Sequence, residues 1–202
     1  MQSKQLKNIV DILHDMDKKA ALFLSNQNYD DALAVYKEIL KAQEQLKLEK
    51  LCGHTMLNIA NIYMMQNDYD QALANISKAA MLKSMQSDND DRGNLKLTQA
   101  SCLFVMNKGK VAESELKNEL RKNSNKTLCG KIELLLFSYY KDVQNRLAAR
   151  TFIDKAINHF KLDHNKEELL RALKGRVDYF RSIGQGHYAQ FDESEIERLM
   201  NS

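Results

Sequence analysis

Proline is absent from the 202-residue sequence, and glycine appears only seven times. Average usage would supply about ten prolines in a chain of this length, so strand-rich sandwiches built on proline and glycine turns are excluded. Helix ends must then be marked mainly by Asn, Asp and Ser, which are plentiful. Cysteine is scarce as well: Cys52, Cys102 and Cys129 are odd in number, widely spaced and form no Cys-x-x-Cys pair. Neither a disulfide framework nor a zinc site is indicated, and reduced thiols in an intracellular protein are expected. No apolar run approaches the roughly 20 residues of a membrane helix. The amino-terminal stretch 1–19 is charged and amphipathic, unlike a signal peptide or an anchor. A cytoplasmic setting, with a nuclear one as the alternative, and no membrane partner are therefore expected. Thirty basic against 27 acidic side chains leave a net charge of +3, too small and dispersed to indicate nucleic acid.

What is present is helical periodicity and repetition. Apolar residues at 44% and charged ones at 28% suit an ordered core, and the length fits one continuous array as well as two domains. The segment FLSNQNYDDALAVYKEIL, from Phe23, aligns without a gap on YMMQNDYDQALANISKAA, from Tyr63. Phe23 and Tyr63, Tyr29 and Tyr69, Ala32 and Ala72, Leu33 and Leu73, Tyr36 and Ile76 all stand forty residues apart. A third copy keeps the offset with Leu103, Ala112 and Leu116, but Gly109 replaces the aromatic. A fourth follows a shorter interval, with Leu147, Ala149, Ile153 and Ala156, its register open by one residue. Each copy reads as two helices around a polar break, at 26–28, 66–68, 107–110 and 144–145. Tyr29, Ala32, Leu33, Tyr36, Ile39 and Leu40 recur at steps of three and four, which makes one buried helical face. Met56, Ile59, Ala60 and Tyr63 do the same on the preceding helix. Small residues at Ala32, Ala72 and Ala112 let helices approach closely.

The order of aromatic, break, aromatic, small, large and small resembles the tetratricopeptide repeat (TPR), a unit of 34 residues. The resemblance runs from about Leu13 to Phe160 and covers a divergent variety with repeats of about forty residues. It lacks the usual Trp, the Gly at the second break and the Pro at repeat ends. It implies an all-α, right-handed α-solenoid of about four to five antiparallel helix pairs in a single array. The repeats fall roughly at 10–46, 50–86, 90–124 and 127–160, with a C-terminal helical cap over 165–202. In that cap, Asp192 placed three residues before Glu195 predicts the N-cap of a short last helix.

The resemblance also implies a binding groove lined by the first helix of each pair. Its residues are Lys18 and Ala21 in the first copy, Asn58, Asn61 and Met65 in the second, and Thr98, Ser101 and Val105 in the third. The function implied is a non-catalytic protein-interaction module, an adaptor, scaffold or assembly subunit that takes a protein or peptide segment and needs no cofactor. The alternative is a peptide-sensing regulator that changes conformation on binding a small signalling peptide. Chaperone-tail receptors use a clamp of which only Asn58 is matched. Asp17, Ala21, Asn94 and Thr98 occupy the other positions, and Asp17 repels a carboxylate.

No catalytic set emerges. His14, His54, His159, His164 and His187 make no His-Glu-x-x-His spacing, and Cys52 and His54 point to different sides of a helix. The acidic run 87–91 lacks the Gly and closing Glu of a calcium loop and reads as a solvated helix-capping turn. Lys108, Lys110, Lys117, Arg121, Lys122, Lys126 and Lys131 read as a solvated face, with an acidic partner or nucleic acid as alternatives. His14 and His54 are repeat-equivalent and read as a tolerated polar position, with a stacked pair on the groove wall as the alternative.

Overall fold

The computed structural model describes residues 2–201, with the side chains of residue 9 and of 11–201. Among the described residues there are eleven helices and no strand. They are α1 (Gln2–Ser25), α2 (Tyr29–Gln45), α3 (Glu49–Met65), α4 (Tyr69–Ala80), α5 (Lys83–Ser87), α6 (Asn89–Val105), α7 (Gly109–Lys122), α8 (Lys126–Asp142), α9 (Arg146–Leu162), α10 (Lys166–Ser182) and α11 (Gly186–Met200). They gather in two compact units, Met1–Asn107 and Lys108–Ser202. The division falls inside the third predicted copy. In unit 1, α1 packs on α2, α2 on α3, α3 on α4, and α4 and α5 on α6. In unit 2, each helix from α7 to α11 packs on the next.

A regular frame lies beneath both units. Six helices (α2, α3, α6, α8, α9 and α10) are 17 residues long. Each is followed by a three-residue turn, so helix starts recur every twenty residues. The N-caps are Asn28, Leu48, Asp68, Asp88 and Lys108, then, after a 14-residue α7, Asn125, Asn145, Asn165 and Gln185. The short α7 is why the fourth copy arrives early. The α4–α5 break does not disturb the frame, because both short helices fit between Asp68 and Asp88.

The turns explain how the chain manages without proline and nearly without glycine. In seven of them the middle residue is left-handed: Gln27, Lys47, Asn67, Asn107, Gln144, His164 and Gly184. Its N–H returns to the carbonyl three residues back, as from Gln27 to Leu24. In all but the Asn107 turn the next N–H reaches five residues back, as from Asn28 to Phe23 or Asn165 to Phe160. Those two bonds satisfy the last carbonyls of the helix and end it. The third residue then caps the next helix: Asp68, Asn145 and Asn165 each accept from a backbone N–H of the first turn.

Close packing is set by small residues at fixed places in this frame. Ala32, Ala72, Ala112, Ala149 and Ala189, all four residues past an N-cap, are buried almost completely. Ala149 settles the register of the fourth copy, and Ala189 marks a fifth that sequence reading did not extract. The 165–202 segment is accordingly a full helix pair, α10 with α11. Asp192 does not cap a last helix as predicted: Gln185 stands at that N-cap, and Asp192 is buried in the middle of α11. The missing aromatic of the third copy also finds its reason. A Cβ on Gly109 would meet Tyr139 Cε2 at 2.4 Å, so the ring of α8 fills the space instead.

Candidate functional site

The predicted groove residues all lie in unit 1, on α1, α3 and α6. Lys18 is exposed and pairs with Asp15 at 3.2 Å, a solvated contact of little energetic weight. Asn58, Asn61 and Met65 share one face of α3 by their spacing, the two amides half-buried and Met65 exposed. Neither the Asn58 nor the Asn61 side chain makes a hydrogen bond among the described residues. On α6, Thr98 and Ser101 donate their hydroxyl protons back to the carbonyls of Asn94 and Leu97, both at 3.0 Å, and Val105 is exposed. Their donors are therefore used within the helix, whereas those of Asn58 and Asn61 remain open.

Of the seven predicted residues, Asn58 lines a cleft in unit 1. This cleft holds about 320 Å³ and is built by three helices of unit 1. Leu13, His14 and Asp17 come from α1, Ile39 and Gln43 from α2, and Leu51, His54, Thr55 and Asn58 from α3. Leu13, Ile39, Gln43 and Thr55 are its buried residues, and Thr55 donates to Gln43 Oε1 at 2.8 Å. That bond satisfies two polar groups that would otherwise be costly to bury. His14 and His54, paired by their repeat positions, both stand on the wall. Asp17, a mismatch to the chaperone-tail clamp, is the one carboxylate among the described residues that line the cleft.

Tyr36 is buried on α2. Burial, joined by the nearby Asp17 carboxylate, pushes its phenol up to about 12. The folded value exceeds the ordinary phenol value of about 10, so folding favours the protonated form. This contribution to stability is whole below about pH 10 and is lost as pH rises through about 12. Tyr36→Phe, which cannot ionise, should show a shallower alkaline loss of urea midpoint than wild type. Parallel losses in the two proteins would rule out this role.

The acidic run 87–91 is only partly the solvated turn that was expected. Asp88 caps α6 by accepting from the N–H groups of Asp90 and Asp91, which hold its carboxyl below the ordinary range. Asp91 instead points inward. His54 Nε2 and Lys50 Nζ each lie 2.7 Å from one of its oxygens, and that contact holds the Lys50 ammonium above its ordinary value. This network ties α3 to α6 and orients His54 at the cleft.

No family model matches the sequence, and no curated protein matches it. Among solved structures it is similar to BtubC (BKLC) from P. vanneervenii, known from a crystal structure. The TM-score is 0.72, with 14% sequence identity, over 99% of this chain and 86% of that chain. The likeness concerns the fold alone: the chain has an all-helical, repeat-like architecture.

Unit 2 carries polar clusters of a different kind. Lys117 Nζ lies 2.6 Å from Glu113 Oε1 and 2.8 Å from the Tyr140 hydroxyl, over the rings of Tyr140 and Phe152. Tyr140 donates to the same carboxylate. Burial opposes ionisation of Glu113, but the Lys117 and Tyr140 bonds outweigh it and hold the carboxyl below its ordinary range. Glu133, buried on α8, faces His159 Nδ1 at 2.6 Å, and burial pushes its carboxyl up. Lys131 pairs with Glu168 at 3.3 Å. Lys117 and Lys131 thus leave the basic stretch as an open cationic face. Among the described residues no group of three metal-ligating side chains converges, and no helix is long and apolar enough to cross a membrane.

Proposed function

We propose that both units are stretches of a divergent TPR-like, right-handed solenoid. In this reading the chain is a non-catalytic interaction module, an adaptor, scaffold or assembly subunit. The observation that carries it is the α3 face of unit 1, where the Asn58 and Asn61 side chains are half-buried yet make no hydrogen bond among the described residues. A half-buried amide with open donors and acceptors suits the backbone of an incoming segment, and Met65 beyond them offers a pliable apolar contact. The fold likeness to a helical-repeat protein supports the architecture of this reading and leaves the partner to experiment.

Affinity purification of the full chain with mass spectrometry identifies the partner, and a variant pair tests the surface. Asn58→Ala/Asn61→Ala is expected to lose most of the recovered partner while helicity stays unchanged. Glu38→Ala/Lys78→Ala, on exposed positions of α2 and α4, is expected to keep it. Equal recovery from both variants would contradict the groove.

A further inference from the structure

A hollow of about 310 Å³ in unit 2 gathers residues from three helix ends. Tyr140, Lys141 and Gln144 come from the end of α8 and its turn, Arg146 from the start of α9, and Tyr179 and Ser182 from the end of α10. Two cations and no carboxylate are among the described residues that line it. Repetition shows what changed at this place. Counted from the left-handed residue of each turn, Arg146 holds the position of Tyr29 and Tyr69, and Lys141 that of Leu24, Met64 and Phe104. Those five side chains are half-buried in unit 1, whereas Lys141 and Arg146 are exposed. Two packing positions have thus become cationic together. Lys131, Lys161 and Arg181 each face a carboxylate, but Lys141 and Arg146 make no ion pair among the described residues.

The frame around the two cations is fixed by hydrogen bonds. Tyr179 donates its hydroxyl proton to the Arg146 carbonyl at 3.3 Å, and the Arg146 N–H donates to the Gln144 carbonyl at 3.1 Å. The hydroxyl protons on the walls are all committed: Tyr140 donates to Glu113, Tyr179 to Arg146, and Ser182 to the Tyr179 carbonyl at 2.7 Å. Helix-end carbonyls, which repel anions, are taken up by turn N–H groups, as Tyr139, Tyr140 and Lys141 are on α8. The open donors are therefore the guanidinium, the ammonium and the Gln144 amide, none of which is used among the described residues.

We infer that this hollow binds a phosphomonoester, its terminal oxygens held by Arg146 and Lys141 with the Gln144 amide as a third donor. Such a group carries about two negative charges at neutral pH and three strong acceptor oxygens, which matches two cations and a surplus of donors. A guanidinium engages phosphate with two parallel N–H groups, whereas a single carboxylate leaves one of the two cations unmatched. The volume is at the small end of ligand pockets and takes a phosphate on a short stem. That stem belongs either to a free metabolite or to a phosphorylated side chain of a partner. The site lies wholly in unit 2 and does not depend on the groove reading.

The test uses the full chain, labelled with nitrogen-15, in phosphate-free buffer. Its probes are methyl phosphate and acetylated, amidated tripeptides with phosphoserine, serine or glutamate between two alanines. Methyl phosphate and the phosphoserine peptide are expected to give saturable shifts at the amides of Gln144, Arg146 and Tyr179, weakened by added salt. The serine peptide is expected to give none, and the glutamate peptide to bind more weakly. Arg146→Gln should weaken binding about tenfold, and Lys141→Gln/Arg146→Gln should abolish saturation with helicity unchanged. Arg121→Gln/Lys174→Gln removes the same charge at exposed positions of α7 and α10 and should bind like wild type. Tighter binding of the phosphoserine peptide than of methyl phosphate would assign the site to a partner's side chain, and equal binding to a free phosphomonoester. Glutamate binding as tightly as phosphoserine, equal weakening in the two double variants, or no saturable shift with either phosphate probe would each overturn the inference.

Discussion

Arg176→Met is expected to destabilise unit 2 by about 3–5 kcal/mol, the cost of leaving a buried charge without its partner. Arg176 on α10 grips Asp192 of α11 with two nitrogens, Nε at 2.7 Å and Nη2 at 2.5 Å, and reaches Asp154 of α9 at 2.5 Å with Nη1. Burial works against its charge, but the two carboxylates outweigh that and hold the guanidinium above its ordinary value. Asp192 is only 3% exposed, so its charge has no water to fall back on when the arginine is removed. Asp154 is half exposed and keeps Arg150 nearby, so it contributes little to the loss. Arg176→Lys is expected to fall between, because an ammonium keeps the charge and loses the two-pronged geometry. Arg176→Met/Asp192→Leu should recover most of the stability, since removing both charges together leaves neither stranded. Urea unfolding followed by circular dichroism measures all three. A loss below about 1 kcal/mol for Arg176→Met, the size of an exposed pair, would show that the cluster is solvated rather than structural.

Gly130→Ala is expected to destabilise by about 1–3 kcal/mol through overpacking, although alanine is the better helix former by roughly 1 kcal/mol. A Cβ at Gly130 would stand 2.6 Å from Phe160 Cε1, and that ring is fully buried between α8 and α9. A ring enclosed on all sides has no free rotamer to retreat into. The sign should reverse when the ring is made smaller: in a Phe160→Leu background, Gly130→Ala is expected to be neutral or stabilising. Destabilisation of the same size in both backgrounds would mean that Phe160 is not what the glycine makes room for. Gly53, at the same place in its helix, would bring its Cβ within 2.4 Å of Met85 Cγ and Sδ. A methionine adapts more readily than a ring, so Gly53→Ala should cost less than Gly130→Ala.

These two glycines also belong to a recurrence written in the sequence. Leu51-Cys52-Gly53 recurs as Leu128-Cys129-Gly130, both at the start of a first helix of a pair, with the glycine five residues past the N-cap. The forty-residue offset hides this recurrence because the short α7 shifts the second half of the chain by three residues. Once the shift is known, Ala149 and Ala189 fall in line with Ala32, Ala72 and Ala112.

Sequence by itself determined the helical class, the polar breaks and the buried faces, because periodicity and capping are local and are written in consecutive residues. The repeat equivalence of His14 and His54 is local as well, whereas their place in one cleft comes from the fold. Tertiary structure alone decided that Asp192 and Asp91 are buried ion-pair partners rather than surface caps. The choice depends on Arg176, Lys50 and His54, which reach them from other helices. Only the fold, likewise, set Asp17 and its α1 neighbour Leu13 beside Ile39 and Leu51. A carboxylate's surroundings are supplied by neighbouring helices, and no spacing within α1 encodes them.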